Sequence, residues 1–169
     1  MVKKMAVRTI NVSPEMTQDA KTLIEILGCP IIEASGEAEA QCAHLCKMGL
    51  AYGTASEDLD TLTLGSPYLL RGFNSNKKEP VTQIELEKVL EGFEMSMEEF
   101  IDFCILCGCD YTGSIGGVGP VRAFSLIKET GSIEKVIEKI KHDNANPKKK
   151  RKFTVPDDFK YQESRALFK

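Results

Sequence analysis

The sequence predicts an α/β fold in which strands and helices alternate at first and helices alone follow. One observation is a set of helix starts and stops, such as Ser13-Pro14 and Gly28, which are typical of the two ends of a helix. Another is a set of short apolar runs bounded by turn residues, which favour strands. The predicted helices cover 14–27, 38–48, 85–91, 96–107, 120–129 and 132–140, and the predicted strands cover 30–33, 51–55, 68–73 and 81–84.

The boundaries between these elements follow from local chemistry. Glycine ends helices, serine side chains cap helix starts, and clusters of Asn, Ser, Lys and Pro favour turns between strands. The residues that give these signals are Gly49, Ser56, Ser96, Ser132 and the turn-rich segment 74–80. The helices on either side of the glycine-rich segment 116–119 have the spacing of a helix-hairpin-helix arrangement.

Length and composition support one domain with a core of its own. The chain has 169 residues, of which 42% are hydrophobic. No apolar stretch is long enough to span a membrane, and the N-terminus lacks the pattern of a secretory signal peptide. We therefore expect neither a membrane span nor a membrane partner.

Charge is distributed unevenly along the chain. The net charge is −3, but residues 1–110 carry 9 basic and 18 acidic side chains, a net charge of −9, whereas residues 111–169 carry 13 and 7, a net charge of +6. Much of the positive charge lies in the run Lys148–Lys152. Such a run is typical of a nuclear-import signal or a phosphate-contacting loop, and equally of a solvated loop.

Acidic residues recur at three places in the acidic part. Glu37 and Glu39 are two apart, so in mid-helix they would point about 200° apart and could serve one ion only from the first turn or from extended backbone. Asp58 and Asp60 follow a predicted strand, at the edge of a sheet where ligand sites gather. Asp110 follows an apolar run and is expected to be nearly buried, so that it needs a partner.

Each acidic place has an ordinary structural alternative. Acids in the first turn of a helix complement its dipole, and the segment Ser56–Asp58 also suits an N-cap. Carboxylates gathered at one point, by contrast, either raise one another's pKa or hold divalent cations. The glycine-rich hairpin ahead of a helix is a place where backbone amides can receive phosphate. Acids and hairpin together indicate a metal-dependent nuclease.

The cysteines and histidines point to no zinc site. Cys42 and Cys46 are four apart on a predicted helix, and Cys104 and Cys107 lie in an apolar run, so both pairs are expected to be small buried thiols. Unpaired cysteines without a secretion signal indicate a reducing compartment. His44 and His142 are the only histidines, and neither is near the acids in sequence.

Three blocks of sequence resemble the flap endonuclease family of structure-specific 5′ nucleases. They are Ala34–Ala40, then Thr54–Asp60 with Thr63–Pro67, then Gly108–Tyr111 with Ile115–Pro120. Their order, spacing and content agree with the family's successive motifs. The resemblance implies a parallel-sheet, PIN-like nuclease core flanked by helices and followed by a helix–two-turn–helix element that grips duplex DNA.

The resemblance also implies roles for individual residues. The residues that fall on the family's metal-binding and catalytic acids are Glu37, Glu39, Asp58, Asp60 and Asp110, with Glu57 as a neighbour and not a ligand. The implied DNA-binding residues are Ser114, Ile115, Gly117, Val118, Gly119 and Arg122, of which Ser114, Ile115 and Val118 would also hold a monovalent cation, K⁺. The implied divalent cofactor is a pair of Mg²⁺ ions, for which Mn²⁺ can substitute.

Departures from the family pattern shape the remaining expectations. Two further aspartates and a basic helical arch would precede the first block, so the nuclease core is expected to be N-terminally incomplete. The usual peptide that binds the sliding clamp is also missing. At the hairpin, Gly116 and Val121 stand where relatives often carry basic residues, which gives Arg122 and the backbone amides more of the phosphate binding.

These expectations combine into one functional prediction. Residues 1–95 form the later part of the nuclease core with the acids, 96–140 form the hairpin region, and 141–169 form a basic loop and a tail that packs on the core. The chain is predicted to be a nuclear 5′ flap endonuclease and 5′ exonuclease core that acts on flap or single-strand/duplex junction DNA in replication and repair. The alternatives are a non-catalytic DNA-binding module and an interaction fragment that needs a separate N-terminal piece.

Overall fold

A computed structural model describes residues 11–73, 80–147 and 152–169, and the chain divides into two compact units, Met1–Ser35 and Gly36–Lys169. In the first unit, helix α1 spans Pro14–Ile26 and begins where Ser13 Oγ accepts a hydrogen bond from the Met16 amide. Gly28 follows it with a φ of +77°, a conformation that favours glycine. The start and the stop of this helix are as predicted.

The strand predicted over 30–33 is not formed. These residues form neither a strand nor a helix, and Ile32 keeps 58% of its surface exposed. A strand needs a neighbour for its backbone hydrogen bonds, and an apolar run by itself does not supply one. The sequence pattern therefore overpredicted this element.

The second unit contains short strands among seven helices, counted over the residues that the structure describes. In chain order these elements are α2 Ala38–Lys47, β1 Thr54–Ala55, α3 Asp60–Thr63, β2 Tyr68–Arg71, β3 Thr82–Glu85, α4 Leu86–Phe93, α5 Met97–Cys107, α6 Pro120–Thr130, α7 Ile133–Ala145 and α8 Tyr161–Phe168. The α/β class is confirmed. Strand β1 is shorter than predicted, since only two residues of 51–55 pair with a neighbour.

The sheet has the order β1-β2-β3 and is mixed, not parallel throughout the described strands. Thr54 aligns with Leu69 in the parallel pair, and Leu69 aligns with Ile84 in the antiparallel pair. Parallel neighbours need a crossover of a dozen or more residues, usually with a helix, and the link from β2 to β3 is shorter than that. The chain therefore returns along β2 in the opposite direction.

Helix α5 is the centre of the helical part and contacts α6, α7 and α8. It starts with a capping box, in which Ser96 Oγ accepts from the Glu99 amide and the Glu99 carboxylate accepts from the Ser96 amide. Its side chains Ile105 and Leu106 are 0% and 1% exposed, and burial of side chains this size is worth about 2 kcal/mol each. Core residues run from Ala43 to Phe168, so α2 and the last helix share one core with α5.

Two sequence predictions keep their status as predictions. One is the division at residues 95 and 140, which describes function. The two compact units, with their boundary after Ser35, do not test it. The role of the basic run is the other, because 148–151 lie outside the described residues. None of the helices in the described part is both long and apolar enough to cross a membrane.

Candidate metal and nucleic-acid site

The loop after β1 is shaped by side chains that hydrogen-bond to its own backbone. Ser56 Oγ accepts from the Asp58 amide at 3.0 Å, and Asp58 Oδ1 accepts from the Asp60 amide at 2.9 Å. Such bonds two residues apart are Asx and Ser turns, which fix a loop without a strand or a helix. They place Asp58 on the exposed loop and Asp60, half-buried, as the first residue of α3.

The start of α2 lies beside this loop. Glu37 is the N-cap residue, with β-region dihedrals and no capping bond from its side chain, and Glu39 is in the first turn. Ser56 Oγ donates to Glu39 Oε1 at 3.5 Å, which links the two loops through one hydroxyl. Glu37 thus has extended backbone and Glu39 lies in the first turn, the two arrangements that the sequence allowed, and their role toward a metal stays a prediction.

Asp110 occupies a tight turn between α5 and the hairpin. Cys109 and Thr112 pair as an antiparallel bridge, which leaves Asp110 and Tyr111 at the tip. Asp110 is exposed, so the expectation of a nearly buried acid is wrong. The apolar run before it ends at Gly108, whose φ of +114° turns the chain out of the helix and carries the aspartate to the surface.

Electrostatic coupling connects the three acidic places. Burial raises the pKa of the Asp60 carboxyl, and the negative charges of Asp58 and Asp110 raise it further. Burial also raises the pKa of the Tyr111 hydroxyl, with added effects from Glu37, Asp60 and Asp110. Residues from separate loops thus act on the same groups, which places the acids around one region.

The acidic side chains are of the type that binds divalent metals, but their positions do not yet form a joint binding site. Carboxylate oxygens are the ligands that Mg²⁺ prefers. Among the residues that the structure describes, however, no three His, Cys, Asp or Glu side chains form a group that could hold an ion together. The donor set therefore fits Mg²⁺, and joint binding would require the carboxylates to come closer.

Glu57 is tied to the sheet and not to the acids. Its Oε1 accepts from the Gly72 amide at 2.7 Å, and its Oε2 lies 3.5 Å from Arg71 Nη2. Both partners belong to the end of β2 or follow it directly. The prediction that Glu57 is a neighbour and not a ligand stays a prediction.

The hairpin turns its apolar side chains inward and its backbone outward. Ile115 and Val118 are 2% and 8% exposed, whereas Ser114, Gly117 and Gly119 are exposed. Gly117 has a φ of +87°, and the Val118 amide donates to the Ile115 carbonyl at 3.1 Å. Helix α6 begins directly afterwards with Pro120 in its first turn, so the N-terminal end of a helix dipole lies beside the hairpin.

Arg122 is bound within the protein. Its Nη1 donates to the Gly117 carbonyl at 2.7 Å, and its guanidinium carbon lies 5.3 Å from the centre of the Phe153 ring. The guanidinium is half-buried and still carries its charge next to the exposed hairpin backbone. Its predicted role toward phosphate stays a prediction, to which the structure adds a second role in shaping the hairpin.

A buried ionic network was missed at the sequence level. Asp102 is 3% exposed, accepts both Nε and Nη2 of Arg165 at 2.8 Å, and also accepts the Ile133 amide at 3.0 Å. Arg165 also donates to Glu134, and this bond holds the pKa of the Glu134 carboxyl at about 2. An aspartate inside the apolar run of α5 was the available signal, because a buried charge requires a partner.

The cysteines differ in part from the prediction. Cys46 is buried, but Cys42 is exposed, because the side of α2 that packs inward is the one with Ala43 and Cys46. Burial raises the pKa of Cys104 to about 12 and that of Cys107 to about 11, so both thiols stay protonated at neutral pH.

Comparison with known sequences gives concordant matches. The XPG I-region family matches residues 28–110. Flap endonuclease 1 of Komagataella phaffii is 52% identical over 169 residues, a match that covers 99% of this chain and 44% of that protein. Flap endonuclease 1 of Tetrahymena thermophila is 49% identical over 165 residues, with coverages of 98% and 43%. The chain thus spans less than half the length of these curated relatives.

Solved structures agree with the sequence relatives. Flap endonuclease-1 from Methanococcus jannaschii superposes with a TM-score of 0.75 at 30% identity, over 99% of this chain and 48% of that one. The Holliday junction-resolving enzyme GEN1, solved with product DNA, Mg²⁺ and Mn²⁺, gives a TM-score of 0.72 at 28% identity, over 94% and 42%. By sequence over nearly its whole length and by fold, this chain belongs to the flap endonuclease family.

Proposed function

We propose that this chain is the acid- and hairpin-bearing part of a structure-specific 5′ nuclease, which cleaves DNA at 5′ flaps or single-strand/duplex junctions. The observation that carries the proposal is the coupling of Asp58, Asp60 and Asp110 within the unit that also carries the hairpin. Repelling carboxylates and exposed backbone amides have opposite preferences, one for cations and the other for phosphate. A metal-dependent phosphodiesterase needs both.

The acids would hold divalent ions and the chain would orient the phosphodiester. Two Mg²⁺ ions, or Mn²⁺ in their place, would supply a more acidic water and charge stabilisation at the attacking and leaving oxygens. The ligands in this proposal are Glu37, Glu39, Asp58 and Asp60, with Asp110 binding through water. Ser56 restrains Glu39 and the Asp58 loop together, which limits how far these carboxylates can separate.

The hairpin would bind the duplex backbone some distance from the cut. Its exposed backbone and the start of α6 favour a negatively charged group, and Arg122 adds a positive charge beside Gly117. Ser114, Ile115 and Val118 would hold a K⁺ ion, which would supply a positive charge that favours a phosphate. Phosphate contacts of this kind set position on DNA and carry no sequence preference. We place the protein in the nucleus, where such DNA occurs and thiols stay reduced.

A non-catalytic DNA-binding module is the second candidate, and one observation favours it. The hairpin is held by backbone hydrogen bonds at Gly116 and Val118, whereas no three carboxylates in the described part of the chain form a group that could hold an ion. Such a module would bind duplex without cutting it. The two candidates therefore differ in metal-dependent turnover.

Single-turnover cleavage of a 5′-labelled flap separates the candidates. We expect slow Mg²⁺-dependent cutting by the chain alone, and about 100-fold or more faster cutting when the unmatched part of a flap endonuclease 1 relative is added in trans, since each missing electrostatic group costs about 3 kcal/mol. Asp60→Asn should abolish both activities. Tight duplex binding with no cleavage under either condition would favour the non-catalytic module.

A further inference from the structure

The segment Lys152–Val155, here called the strap, lies against the hairpin. The Gly116 amide donates to the Thr154 carbonyl at 2.7 Å, and the Thr154 amide donates back to the Gly116 carbonyl at 3.2 Å. This reciprocal pair is a single rung of antiparallel sheet. It ties the centre of the hairpin to a segment almost 40 residues later in the chain.

The strap also packs on the hairpin at Gly117, where the backbone φ is positive. A Cβ built on Gly117 would lie 3.4 Å from the Phe153 ring, so the ring rests on the backbone at the position with a φ of +87°. The Arg122 guanidinium lies over the same ring. Phe153 thus supports both Gly117 and the side chain that bonds to the Gly117 carbonyl.

Asn144 fixes the strap from the last turn of α7. Its Nδ2 donates to the Phe153 carbonyl at 2.7 Å, and its Oδ1 accepts from the Phe153 amide at 2.9 Å. The side-chain amide therefore satisfies both backbone groups of one residue, as a neighbouring strand would. Lys152 Nζ adds a bond to the Asn144 carbonyl, where the negative end of the helix dipole favours a cation.

These contacts form one path from α7 to the hairpin. Asn144 sets the position of Phe153, and Phe153 and Thr154 set the backbone at Gly116 and Gly117. Glycine at these positions has a wide choice of conformations, so the hairpin would otherwise be free to bend. A binding surface made of backbone groups is only as well ordered as the backbone itself.

We propose that Asn144 is a positioning residue for nucleic-acid binding, which pre-forms the hairpin by holding the strap against it. The inference rests on the proposed function, in which the hairpin receives the duplex backbone. Asn144 itself does not contact the nucleic acid in this account.

The test compares Asn144→Ala with Ser132→Ala. Both changes remove side-chain bonds to backbone from an end of α7. Asn144 bonds to Phe153 in the strap, whereas Ser132 Oγ caps the start of α7 by accepting from the Lys135 amide. Affinity for a duplex with a 5′ flap is measured without divalent ions, and amide hydrogen exchange is measured at Gly116. We expect about tenfold weaker binding in Asn144→Ala and faster exchange at Gly116, and wild-type values of both in Ser132→Ala at a similar melting temperature.

Phe153→Leu tests the same path at the next step. It keeps the backbone that Asn144 binds and removes the ring below Gly117 and Arg122, so it should weaken duplex binding in the same direction. The double variant should lose less than the product of the single losses, since both act through the strap. Phe153→Leu also keeps the test decisive if Asn144→Ala fails to fold.

Two results would overturn the inference. One is wild-type duplex affinity and Gly116 exchange in Asn144→Ala, and the other is an equal loss of both in Ser132→Ala. A wild-type chain that binds no duplex would instead contradict the proposed function. In that case the exchange at Gly116 still decides whether Asn144 holds the hairpin.

Discussion

The hairpin and the acids are held in different ways. The hairpin is fixed by two neighbouring residues of the strap, with Gly116 paired to Thr154 and Gly117 packed on Phe153. The acids are held by short local bonds, such as those from Ser56 and Asp58 to the amides that follow them, and Asp58 and Asp110 remain exposed. One part is a packed surface, and the other is a set of charged loops.

This difference separates two requirements of the proposed chemistry. Binding a regular duplex backbone favours a surface that is already formed, because ordering it during binding would cost affinity. Acids that bind cations repel one another, so tight packing would store unfavourable energy until a cation is bound. We therefore expect substitutions near the hairpin to destabilise the fold or weaken DNA binding, and substitutions among the acids to spare or raise stability.

The largest loss of stability should come from breaking the buried ionic network of Asp102, Arg165 and Glu134. Asp102→Ala would remove the buried ion-pair partner of the half-buried Arg165, which would keep its contacts with Glu134 and the Tyr161 ring, and would leave the Ile133 amide without this acceptor. We expect a loss of about 3 kcal/mol in the free energy of unfolding, measured with urea. Glu98→Ala, on the same helix, breaks an exposed pair with Lys169 and should cost about 0.5 kcal/mol. Equal losses would contradict the account of a buried network.

The next effect concerns DNA. Arg122→Ala removes a charge beside the hairpin and the bond to the Gly117 carbonyl, so duplex affinity should fall about tenfold with no change in base preference. Lys128→Ala removes the same charge from the same helix at a point where the side chain bonds to the Phe93 and Glu94 carbonyls. Fluorescence anisotropy over a range of salt concentrations measures both. A loss of equal size for the lysine variant would show that only net charge matters.

Substitution of an acid is expected to change stability less than Asp102→Ala does, and to raise it. Because burial and like charges raise the pKa of Asp60, its contribution to stability is full below the usual aspartate pKa of 3.8 and is lost as pH rises through the higher folded value. Asp60→Asn should therefore raise the melting temperature of the metal-free chain slightly at neutral pH, since solvent screens this half-exposed carboxylate, and it should reduce the rise in melting temperature on adding Mg²⁺.

Glu87→Gln is the control for the Asp60 variant. It removes the same charge from an exposed position on α4, away from the acids. It should leave the Mg²⁺-dependent rise in melting temperature at its wild-type size. A wild-type melting temperature that does not respond to millimolar Mg²⁺ or Mn²⁺ would argue against any metal site here.

The smallest effect is a change in acid stability. Arg165 lowers the pKa of Glu134 from 4.5 to about 2, so the stability that this carboxylate contributes is present above pH 4.5 and is lost as pH falls toward 2. Glu134→Gln should lower the melting temperature slightly at pH 7, since Glu134 is partly exposed and solvent screens the pair, and this loss should shrink to nothing as pH falls toward 2, which makes the variant's acid profile flatter. An unchanged acid profile would remove Glu134 from the network.

Local signals predicted local structure well. Ser13, Ser96 and Ser132 all cap helices as predicted, because a capping bond joins residues only three apart. The strand at 30–33 failed because a strand depends on a partner that its own residues do not specify. Strand β3 succeeded because the turn-rich segment before it favours return along β2.

In the candidate site, too, features set by local geometry were predicted and features set by tertiary contact were not. The placement of Glu37 and Glu39 at the start of α2 followed from helix geometry alone. The exposure of Asp110 depends on a glycine with positive φ, and no pattern in the apolar run before it indicates that turn. The support of the hairpin by Asn144 lay beyond sequence reasoning, since the strap that connects them has no periodicity and acts only through tertiary contact.

The bond between Asp102 and Arg165 has a consequence for synthesis of the chain. These residues are 63 positions apart, so Asp102 is synthesised well before the arginine. At about 5–20 residues per second the delay is roughly 3–13 seconds. During that time α5, the most apolar helix of the hairpin region, carries an unpaired charge on the face that will be buried. Completion of this core must therefore wait for the last helix, and a nascent chain stalled before Arg165 should be a preferred substrate for chaperones.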